Sequence, residues 1–238
     1  MRLDEWLVSQ GLAKDLKEAA GIIMSANVLI NDAPVTSPAR KVVPEDKIRL
    51  RNQKKWVARS GEKLDFALEH FQIDVKDKIC LDVGASTGGF TQALLNRGAR
   101  TVVAVDVAYG FLHPLLRNNP KVIVFERTHI CDLKPEDLPE APDFFAVDVS
   151  FISIRKIIHC LKLLYGAWQG VVLFKPQFEA PREELVNGIV RDSAVLERLL
   201  REFRTFLGEN HIDLLNEAPS PIEGKKGNRE FLYHIRWG

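Results

Sequence analysis

The chain has 238 residues, of which 46% are hydrophobic and 27% charged, and its formal net charge is +1. This composition is typical of a soluble protein with a packed core. No apolar run approaches the roughly 18 residues that a membrane-spanning helix needs, and the N-terminus lacks the layout of a signal peptide. The sequence therefore predicts a cytoplasmic protein with a small domain and a medium one.

The three cysteines, Cys80, Cys131 and Cys160, lie far apart in the sequence and form no CxxC pair. An odd, scattered set argues against a disulfide framework and against a zinc site. Cys80 and Cys160 lie inside apolar runs, where small core residues are expected. We therefore expect no disulfide, no bound metal and no catalytic cysteine.

Positive charge is concentrated near the N-terminus. Residues 1–63 carry twelve Lys and Arg against eight Asp and Glu, whereas the remainder carries 21 against 24. Much of the excess lies in one cluster, which consists of Arg49, Arg51, Lys54, Lys55, Arg59 and Lys63. Such a cluster favours a polyanionic partner, because neutralising phosphates releases counterions. A solvated basic linker explains the charge equally well.

The first fifty residues predict a compact α+β unit. Its expected elements are a helix from Leu3 to a stop at Gly11, a helix over 14–24, a strand at 28–30, a turn at 31–32, and strands near 35 and at 48–50. This order resembles the small RNA-binding domain shared by a small-subunit ribosomal protein and several pseudouridine synthases. The segments that carry the resemblance are Arg2-Leu3-Asp4 with Leu7, Gly11-Leu12-Ala13, Ala19-Ala20, Val28–Asn31 and Asp46–Leu50.

That RNA-binding family usually opens its second helix with a Ser-Arg pair, whereas this chain has Asp15-Leu16. A typical RNA-contacting arginine is therefore missing, and Lys14 and Lys17 are candidates to compensate for it. The resemblance implies RNA contacts from five basic residues of this unit, which are Arg2, Lys14, Lys17, Arg40 and Lys41.

From Ile79 onward, strands and helices alternate. The predicted strands are 79–83, 101–106, 122–125, 144–148, 171–175, a stretch near 211–216 and 231–236, with helices such as 153–164 and 193–206 between them. Alternation predicts a mostly parallel sheet with helices on both faces. Only a turn separates the last two strands, so these should pair antiparallel.

This layout of six parallel strands and one antiparallel strand is that of the Rossmann-like class I methyltransferases. The predicted fold class is therefore α/β, with a small α+β RNA-binding domain in front. We expect the RNA-binding domain over residues 1–53, a linker over 54–58 and the methyltransferase domain over 59–238.

The sharpest local feature is a strand that runs into small residues and then into a helix. Small residues let the backbone approach a ligand and leave amides at a helix N-terminus free for an anionic group. A P-loop would need Gly-Lys-Ser/Thr, and a dinucleotide site would need GxGxxG; neither is present. The spacing GxxxGG after an acidic residue suits S-adenosylmethionine. The expected cofactor residues here are Asp82, Gly84, Ala85, Ser86, Thr87, Gly88, Gly89 and Phe90.

Further cofactor contacts are expected after the second and third strands. Asp106 ends the second strand, where a carboxylate suits the two hydroxyls of a nucleoside ribose. Taken alone, Asp106 would be better explained as the N-cap of a helix, and it is the glycine loop upstream that favours cofactor binding. Thr128 and His129 follow the third strand, in the position that contacts the adenine in such folds.

Four polar residues are expected to carry the chemistry. Lys63 precedes a helix predicted over 64–70, Asp148 ends the fourth strand, Lys175 ends the fifth and Glu230 opens the last. The carboxyl ends of parallel strands meet at one edge of a sheet, so Asp148 and Lys175 should converge beside the cofactor. A lysine that ends an apolar strand is rarely left unpaired.

Nearly the whole chain resembles the TlyA family, whose members were once labelled haemolysins and are now understood as ribose methyltransferases of ribosomal RNA. The motifs concerned are Asp82–Thr91, Asp148–Ser153, Lys175–Glu179, Pro219–Pro221, Gly227-Asn228 and Glu230. The resemblance implies a catalytic tetrad, shared with heat-shock-type (FtsJ-like) methyltransferases, at Lys63, Asp148, Lys175 and Glu230. The expected partner is ribosomal RNA or a ribosomal subunit, and no protein partner is implied.

The chain departs from the family pattern in two places. It has Ala58-Arg59-Ser60-Gly61 where the family has Ser-Arg-Gly-Gly, and Ala180-Pro181-Arg182 where a Gly-Lys pair usually follows Glu179. The second departure leaves the shape of the loop 180–190 open. The chain starts directly at Met1-Arg2-Leu3 and stops soon after the last strand. In this it resembles the shorter branch of the family, which is associated with a cytidine of the large-subunit RNA.

The implied reaction moves a methyl group from S-adenosylmethionine to a ribose 2′-hydroxyl. That hydroxyl is a weak nucleophile, so the enzyme must align the displacement and remove a proton. We expect Lys175 to be the general base, Asp148 to orient Lys175 and Lys63, and Glu230 to fix the geometry. A lysine base needs a pKa below its usual value of about 10.4. A neighbouring ammonium lowers that pKa and Asp148 raises it.

Three other functions fit parts of the sequence. An RNA base-amine methyltransferase would use Asp148–Phe151 in place of an Asn/Asp-Pro-Pro-Tyr/Phe motif, but both prolines are absent. A non-catalytic RNA-binding or ribosome-assembly factor would bind without turnover. A haemolysin would need a membrane-active segment, and no strongly amphipathic basic helix is found. Arg59, Lys225 and Lys226 are candidate RNA contacts, and a solvated turn explains the last two equally well.

Overall fold

The computed structural model describes residues 1–51 and 56–238. The chain divides into two compact units, Met1–Lys55 and Trp56–Gly238, and each is described by itself. Lys54 and Lys55, which belong to the predicted linker and the predicted basic cluster, lie outside the described residues. Within the described ranges, no helix is long and apolar enough to cross a bilayer.

The N-terminal unit consists of two helices and a three-stranded antiparallel sheet, as predicted. Its elements are α1 (Leu3–Ser9), α2 (Leu16–Met24), β1 (Val28–Ile30), β2 (Ala33–Val35) and β3 (Ile48–Leu50), with β1 in the middle of the sheet. Asp15 is the N-cap of α2 and accepts a hydrogen bond from the Glu18 amide at 2.8 Å. This cap explains why α2 begins later than the apolar pattern suggested. The buried core is formed by Leu3, Leu7, Ala13, Ala19, Ile23, Val28 and Ile30.

The C-terminal unit is built on a seven-stranded sheet. Its elements are α3 (Ser60–His70), β4 (Ile79–Val83), α4 (Gly89–Asn96), β5 (Thr101–Asp106), α5 (Pro114–Arg117), β6 (Val122–Glu126), β7 (Phe144–Val147), α6 (Ile154–Leu164), β8 (Trp168–Phe174), α7 (Ser193–Glu209), β9 (Asp213–Pro219) and β10 (Phe231–Trp237). The strand order is β6-β5-β4-β7-β8-β10-β9. β10 is antiparallel to both β8 and β9, and the other neighbours are parallel. The prediction of six parallel strands and one reversed strand is confirmed.

Helices cover both faces of this sheet, so the central strand is buried along its length. Every residue of β4 is buried. Leu81 packs on the face covered by α6 and α7, whereas Cys80 packs on the face covered by α3 and α4. Burial on both faces requires a continuous apolar strand. The polar groups that follow the strands are thereby confined to the edge where the parallel strands end.

Several element boundaries differ from those predicted. α3 begins at Ser60, so Lys63 lies inside the helix rather than before it. β8 begins at Trp168, because it pairs with β10 along its whole length, from Trp168 opposite Trp237 to Phe174 opposite Phe231. This non-local pairing is not visible in the local sequence.

The expectation of no disulfide is wrong for one pair of cysteines. Cys131 and Cys160 are joined by a disulfide, with Cα atoms 4.9 Å apart and a sequence separation of 29. They meet because the 3₁₀ turn Ile130–Asp132 packs against α6. Cys160 was expected to be a small core residue, but it is bonded to Cys131 and only partly buried. Cys80 is free and buried, as expected.

A buried histidine in β10 makes stability depend on pH. His234 is 8% exposed, and its Nε2 has no hydrogen-bond partner among the described residues. Burial lowers its pKa from 6.5 to about 4. Below pH 6.5 the unfolded chain therefore binds a proton that the folded chain does not, and stability is lost as the pH falls towards 4. The free energy of unfolding, measured with urea at pH 7 and at pH 4.5, should decrease between the two pH values by about 2 kcal/mol less in His234→Phe than in the wild type. Parallel pH profiles would contradict this expectation.

Candidate active site

The loop after β4 contains two glycines whose positions exclude a side chain. Gly84 and Gly88 have φ of +85° and +97°, which L-residues rarely adopt. A Cβ on Gly84 would lie 2.6 Å from the Asp148 carbonyl oxygen, and one on Gly88 would lie 2.2 Å from Leu116 Cδ1. Gly88 is also the N-cap of α4. The loop is thus held tightly between the end of β7 and α5, with the first amides of α4 at its end.

A buried carboxylate lies directly before this loop. Asp82 is fully buried, and its Oδ2 accepts a hydrogen bond from Thr91 Oγ1 at 2.6 Å. Its Oδ1 is buried and has no hydrogen-bond partner among the described residues. Burial raises the pKa of Asp82 to about 7. Since an unpartnered buried oxygen is costly, this position fits a ligand that carries a cationic amino group, as the amino-acid end of S-adenosylmethionine does.

Asp106 connects the ends of β4 and β5. Its carboxylate accepts hydrogen bonds from the amides of Ser86 and Ala108, each at 2.7 Å. Its carbonyl oxygen accepts from the Thr128 amide at 3.0 Å. His129 is the N-cap of the next 3₁₀ turn, because its Nδ1 accepts from the Cys131 amide at 3.2 Å. The ends of β4, β5 and β6 are thereby brought together, as a nucleoside site requires.

The other residues of the loop after β4 differ in whether their side chains or only their backbone could contact a cofactor. Ser86 is exposed and Thr87 is partly exposed, while Ala85 is buried. The Phe90 side chain packs into the core among α3 and α4, so only its backbone could serve a ligand. A Cβ on Gly89 would lie 2.1 Å from Ser60 Oγ, which makes this glycine a requirement of α3–α4 packing.

The four residues of the expected tetrad form two ion pairs. Lys175 Nζ lies 2.6 Å from Asp148 Oδ1 and donates a hydrogen bond to Ser150 Oγ at 3.1 Å. Lys63 pairs with Glu230, and their side chains are only 6% and 3% exposed. The expectation that Asp148 orients Lys63 is not met, because Lys63 approaches β10 from within α3. Buried as it is, Lys63 also cannot belong to a basic surface cluster.

Strand pairing places the two ion pairs at the same edge of the sheet. Phe231 is paired with Phe174, so Glu230 and Lys175, the next residues on the two strands, are neighbours across β10 and β8. Gln177 Nε2 donates to Glu230 Oε1 at 3.5 Å. Lys175 is nine-tenths buried and Asp148 slightly more exposed, so the Asp148–Lys175 pair is the more accessible of the two.

Two aromatic residues beside this pair were not among the expected site residues for ribose methylation. Phe151 is 91% exposed, has a φ of 65°, and its ring centroid lies 5.1 Å from that of Phe178. The Phe178 ring is 5.8 Å from Lys175 Nζ. A large exposed aromatic residue in a strained conformation indicates a binding surface. The signal available in the sequence was the position of Phe151, three residues after Asp148.

Glu179 was also not among the expected site residues. Its carboxylate accepts hydrogen bonds from Ser153 Oγ and the Ile154 amide, both at 2.8 Å. Burial raises the pKa of Glu179. It thereby ties the segment after β8 to the start of α6, where the loop that carries Phe151 ends.

The expected RNA contacts are mostly exposed, and some are paired. Arg2 and Arg40 form ion pairs with Asp4 at 2.7 Å and Asp46 at 3.2 Å. Exposed residues for which we describe no ion pair are Lys14, Lys17, Lys41, Arg59, Lys225 and Lys226. No group of three or more potential metal ligands occurs in residues 1–51 and 56–238.

Fold and site define a class I methyltransferase. Residues 56–237 match the model of the FtsJ-like methyltransferase family, and residues 1–48 match that of the S4 domain. The chain belongs to the TlyA family of FtsJ-like methyltransferases. It is 41% identical to hemolysin A of Brachyspira hyodysenteriae, over 99% of both chains. It is 37% identical to the 16S/23S rRNA (cytidine-2′-O)-methyltransferase TlyA of Mycobacterium tuberculosis, over 99% of this chain and 89% of the relative.

A solved structure agrees with this assignment. A protein described as a hemolysin from Streptococcus thermophilus has a TM-score of 0.74 and 38% identity, covering 100% of this chain and 88% of the other. Methyltransferases of this class use S-adenosylmethionine, and the unpartnered Asp82 oxygen beside the glycine loop fits that cofactor.

Proposed function

We propose that this protein transfers a methyl group from S-adenosylmethionine to the 2′-hydroxyl of a cytidine in large-subunit ribosomal RNA. The observation that carries the proposal is the Asp148–Lys175 ion pair, which lies at the ends of two adjacent strands directly beside the glycine loop. A relative named as a cytidine-2′-O-methyltransferase is 37% identical to this protein over 99% of the chain. The cytoplasm, where ribosomes are assembled, is the proposed location.

The cofactor would be held along the ends of β4, β5 and β6. Asp82 Oδ1 would accept a hydrogen bond from its amino group, and the first amides of α4, which begins at Gly89, would face its carboxylate. Asp106, Thr128 and His129 would bind the nucleoside end. When bound, the cofactor supplies an activated methyl group on a sulfonium sulfur.

The tetrad would then align the ribose and remove its proton. Lys175 Nζ, in its unprotonated form, would accept the proton of the 2′-hydroxyl as the new bond forms. Asp148 and Ser150 keep the amine in place. The Lys63–Glu230 pair anchors α3 to the start of β10, and Glu230 also accepts a hydrogen bond from Gln177 in the segment after β8.

RNA would be held by exposed basic residues of both units. In the S4 domain these are Lys14, Lys17 and Lys41 with the ion-paired Arg2 and Arg40, and near the catalytic edge they are Arg59, Lys225 and Lys226. We propose residues 1–53 as the RNA-binding domain, 54–58 as the linker and 59–238 as the catalytic domain. The proposed substrate is ribosomal RNA, either free or within a ribosomal subunit.

Cofactor affinity should depend on pH through Asp82. Its pKa of about 7 in the free protein would fall once a cationic amino group lies against Oδ1. Affinity should therefore decrease as the pH falls below 7, by about tenfold between pH 8 and pH 6. Calorimetric titration with S-adenosylhomocysteine would measure this, with Asp82→Asn as the control. The variant should bind more weakly and show no such dependence; an equally steep dependence in the variant would rule out Asp82.

The proposed function can be tested with a panel of RNA substrates. Wild-type protein and labelled S-adenosylmethionine would be incubated with large subunits, small subunits and the corresponding free RNAs. We expect label on one cytidine of the large-subunit RNA. Label on the small-subunit RNA alone would overturn the choice of subunit. Tight RNA and cofactor binding without label would indicate an assembly factor, and label on a base amine would indicate the other class of methyltransferase.

A further inference from the structure

Two cysteines outside the catalytic tetrad form a covalent link within the C-terminal unit. Cys131 lies in the 3₁₀ turn Ile130–Asp132 after β6, and Cys160 lies in α6. Their Cα atoms are 4.9 Å apart, within the range of roughly 4.4 to 6.8 Å that a disulfide allows without backbone movement. The backbone alone therefore places the two thiols in bonding position.

This link joins the two sides of the proposed cofactor and catalytic site. Cys131 follows two residues after His129, whose ring accepts a hydrogen bond from the Cys131 amide. Cys160 is on α6, whose N-cap is Ser153, shortly after Asp148 and Phe151. The disulfide closes a ring that contains β7 and Asp148. It thus restrains the segment proposed to contact the adenine relative to the helix that follows the catalytic aspartate.

The three cysteines differ in their access to solvent. Cys131 is exposed and Cys160 is partly buried. Cys80 is fully buried, and burial raises the pKa of its thiol to about 12, so it should not react in the folded protein. A small oxidant would therefore reach Cys131 first, and Cys160 would be the resolving thiol.

We propose that Cys131 and Cys160 are a reversible redox pair that sets the affinity of the cofactor site. A low-molecular-weight disulfide is the oxidant: the Cys131 thiolate attacks it, forms a mixed disulfide and displaces one small thiolate. The Cys160 thiolate then attacks Cys131 Sγ and displaces the second, and the two displaced thiolates take up the protons that the cysteines lose. Small thiols reverse both steps. In a reducing compartment such a pair is transient and responds to oxidation.

The oxidised form should bind the cofactor more tightly. With the link closed, the turn after His129 is held in the conformation described above, so less conformational freedom is lost on binding. With the link open, Thr128 and His129 are restrained by their hydrogen bonds and by the packing of the neighbouring Ile130 against α6, and the cofactor must supply the remaining order. The effect on affinity rests on the proposed cofactor site, whereas formation of the disulfide does not.

The test separates these two parts. Full-length protein would be equilibrated in mixtures of oxidised and reduced glutathione, alkylated, and analysed by peptide mass spectrometry, while S-adenosylhomocysteine affinity is measured by calorimetry at both extremes. Cys131→Ser and Cys160→Ser are the matched controls. We expect a disulfide-linked peptide containing Cys131 and Cys160 that disappears on reduction. In the wild type, the dissociation constant of S-adenosylhomocysteine should be about threefold or more lower in the oxidised than in the reduced protein, and the two variants should show no such difference.

Each other result overturns a defined part of the proposal. No linked peptide at any glutathione ratio, or one that resists reduction in the folded protein, excludes a reversible pair. Equal or weaker affinity in the oxidised form excludes control of the cofactor site. If neither form bound S-adenosylhomocysteine while the linked peptide still formed reversibly, the proposed cofactor site would fail and the redox pair would stand without its effect on affinity.

Discussion

Lys175→Ala is expected to lower the single-turnover rate of methyl transfer by about 10³-fold, with cofactor binding within about twofold of the wild type. The amine lies 2.6 Å from Asp148 and 3.1 Å from Ser150, and the substitution removes the group proposed to take the ribose proton. The cofactor contacts proposed along β4, β5 and β6 do not include Lys175. Rapid-quench transfer of labelled methyl to RNA, combined with calorimetry, measures both quantities.

Lys175→Arg is the matched control for this prediction. Arginine keeps the positive charge and the pairing with Asp148 but does not deprotonate at accessible pH. If Lys175 accepts a proton, the arginine variant should be as slow as the alanine variant. Near-normal turnover in Lys175→Arg would instead show that the position supplies only charge, and the base would have to be sought elsewhere.

Lys63→Met is expected to reduce the free energy of unfolding by about 3 to 5 kcal/mol. The Lys63–Glu230 pair is buried on both sides, so removing the ammonium leaves a carboxylate in a dry site without its partner. The double variant Lys63→Met/Glu230→Gln removes both charges and should recover most of the lost stability. Urea unfolding of the full chain measures both effects.

Activity distinguishes a catalytic role of this pair from a purely structural one. We expect the double variant to fold but to remain at least about tenfold slower than the wild type, because neither side chain then fixes Gln177 and the start of β10 as before. A stable double variant with full activity would show that the pair only supports the fold. A loss below about 1 kcal/mol in the single variant would show that Glu230 is less isolated than its burial indicates.

The sheet and the ends of its strands were predictable because their signals are local. β4 and β5 were predicted to the residue, since each is a continuous apolar run that ends in an aspartate or at a glycine loop. Strand ends in a parallel sheet necessarily meet at one edge, so Asp148 and Lys175 could be placed together without coordinates. Their separation of 2.6 Å agrees with that expectation.

What could not be predicted depends on contacts between distant segments. Lys63 and Glu230 are 167 residues apart, and they pair only because α3 packs beside the start of β10. The disulfide partners are 29 residues apart, and their separation in the sequence led to the expectation that they are not bonded to each other. Phe90 lies within the glycine motif, yet its side chain packs into the core, because α4 turns that face towards α3.

Alkaline hydrolysis of the methylated RNA tests the central claim most directly. A ribose 2′-hydroxyl is the nucleophile that cleaves RNA in alkali, so a methyl group on that oxygen protects the adjacent phosphodiester. RNA labelled by the wild-type protein would be hydrolysed completely and separated by charge. We predict that the label appears in alkali-stable dinucleotides that begin with cytidine, and that Lys175→Ala yields almost none. Label recovered in mononucleotides would place the methyl group on a base and would contradict ribose methylation.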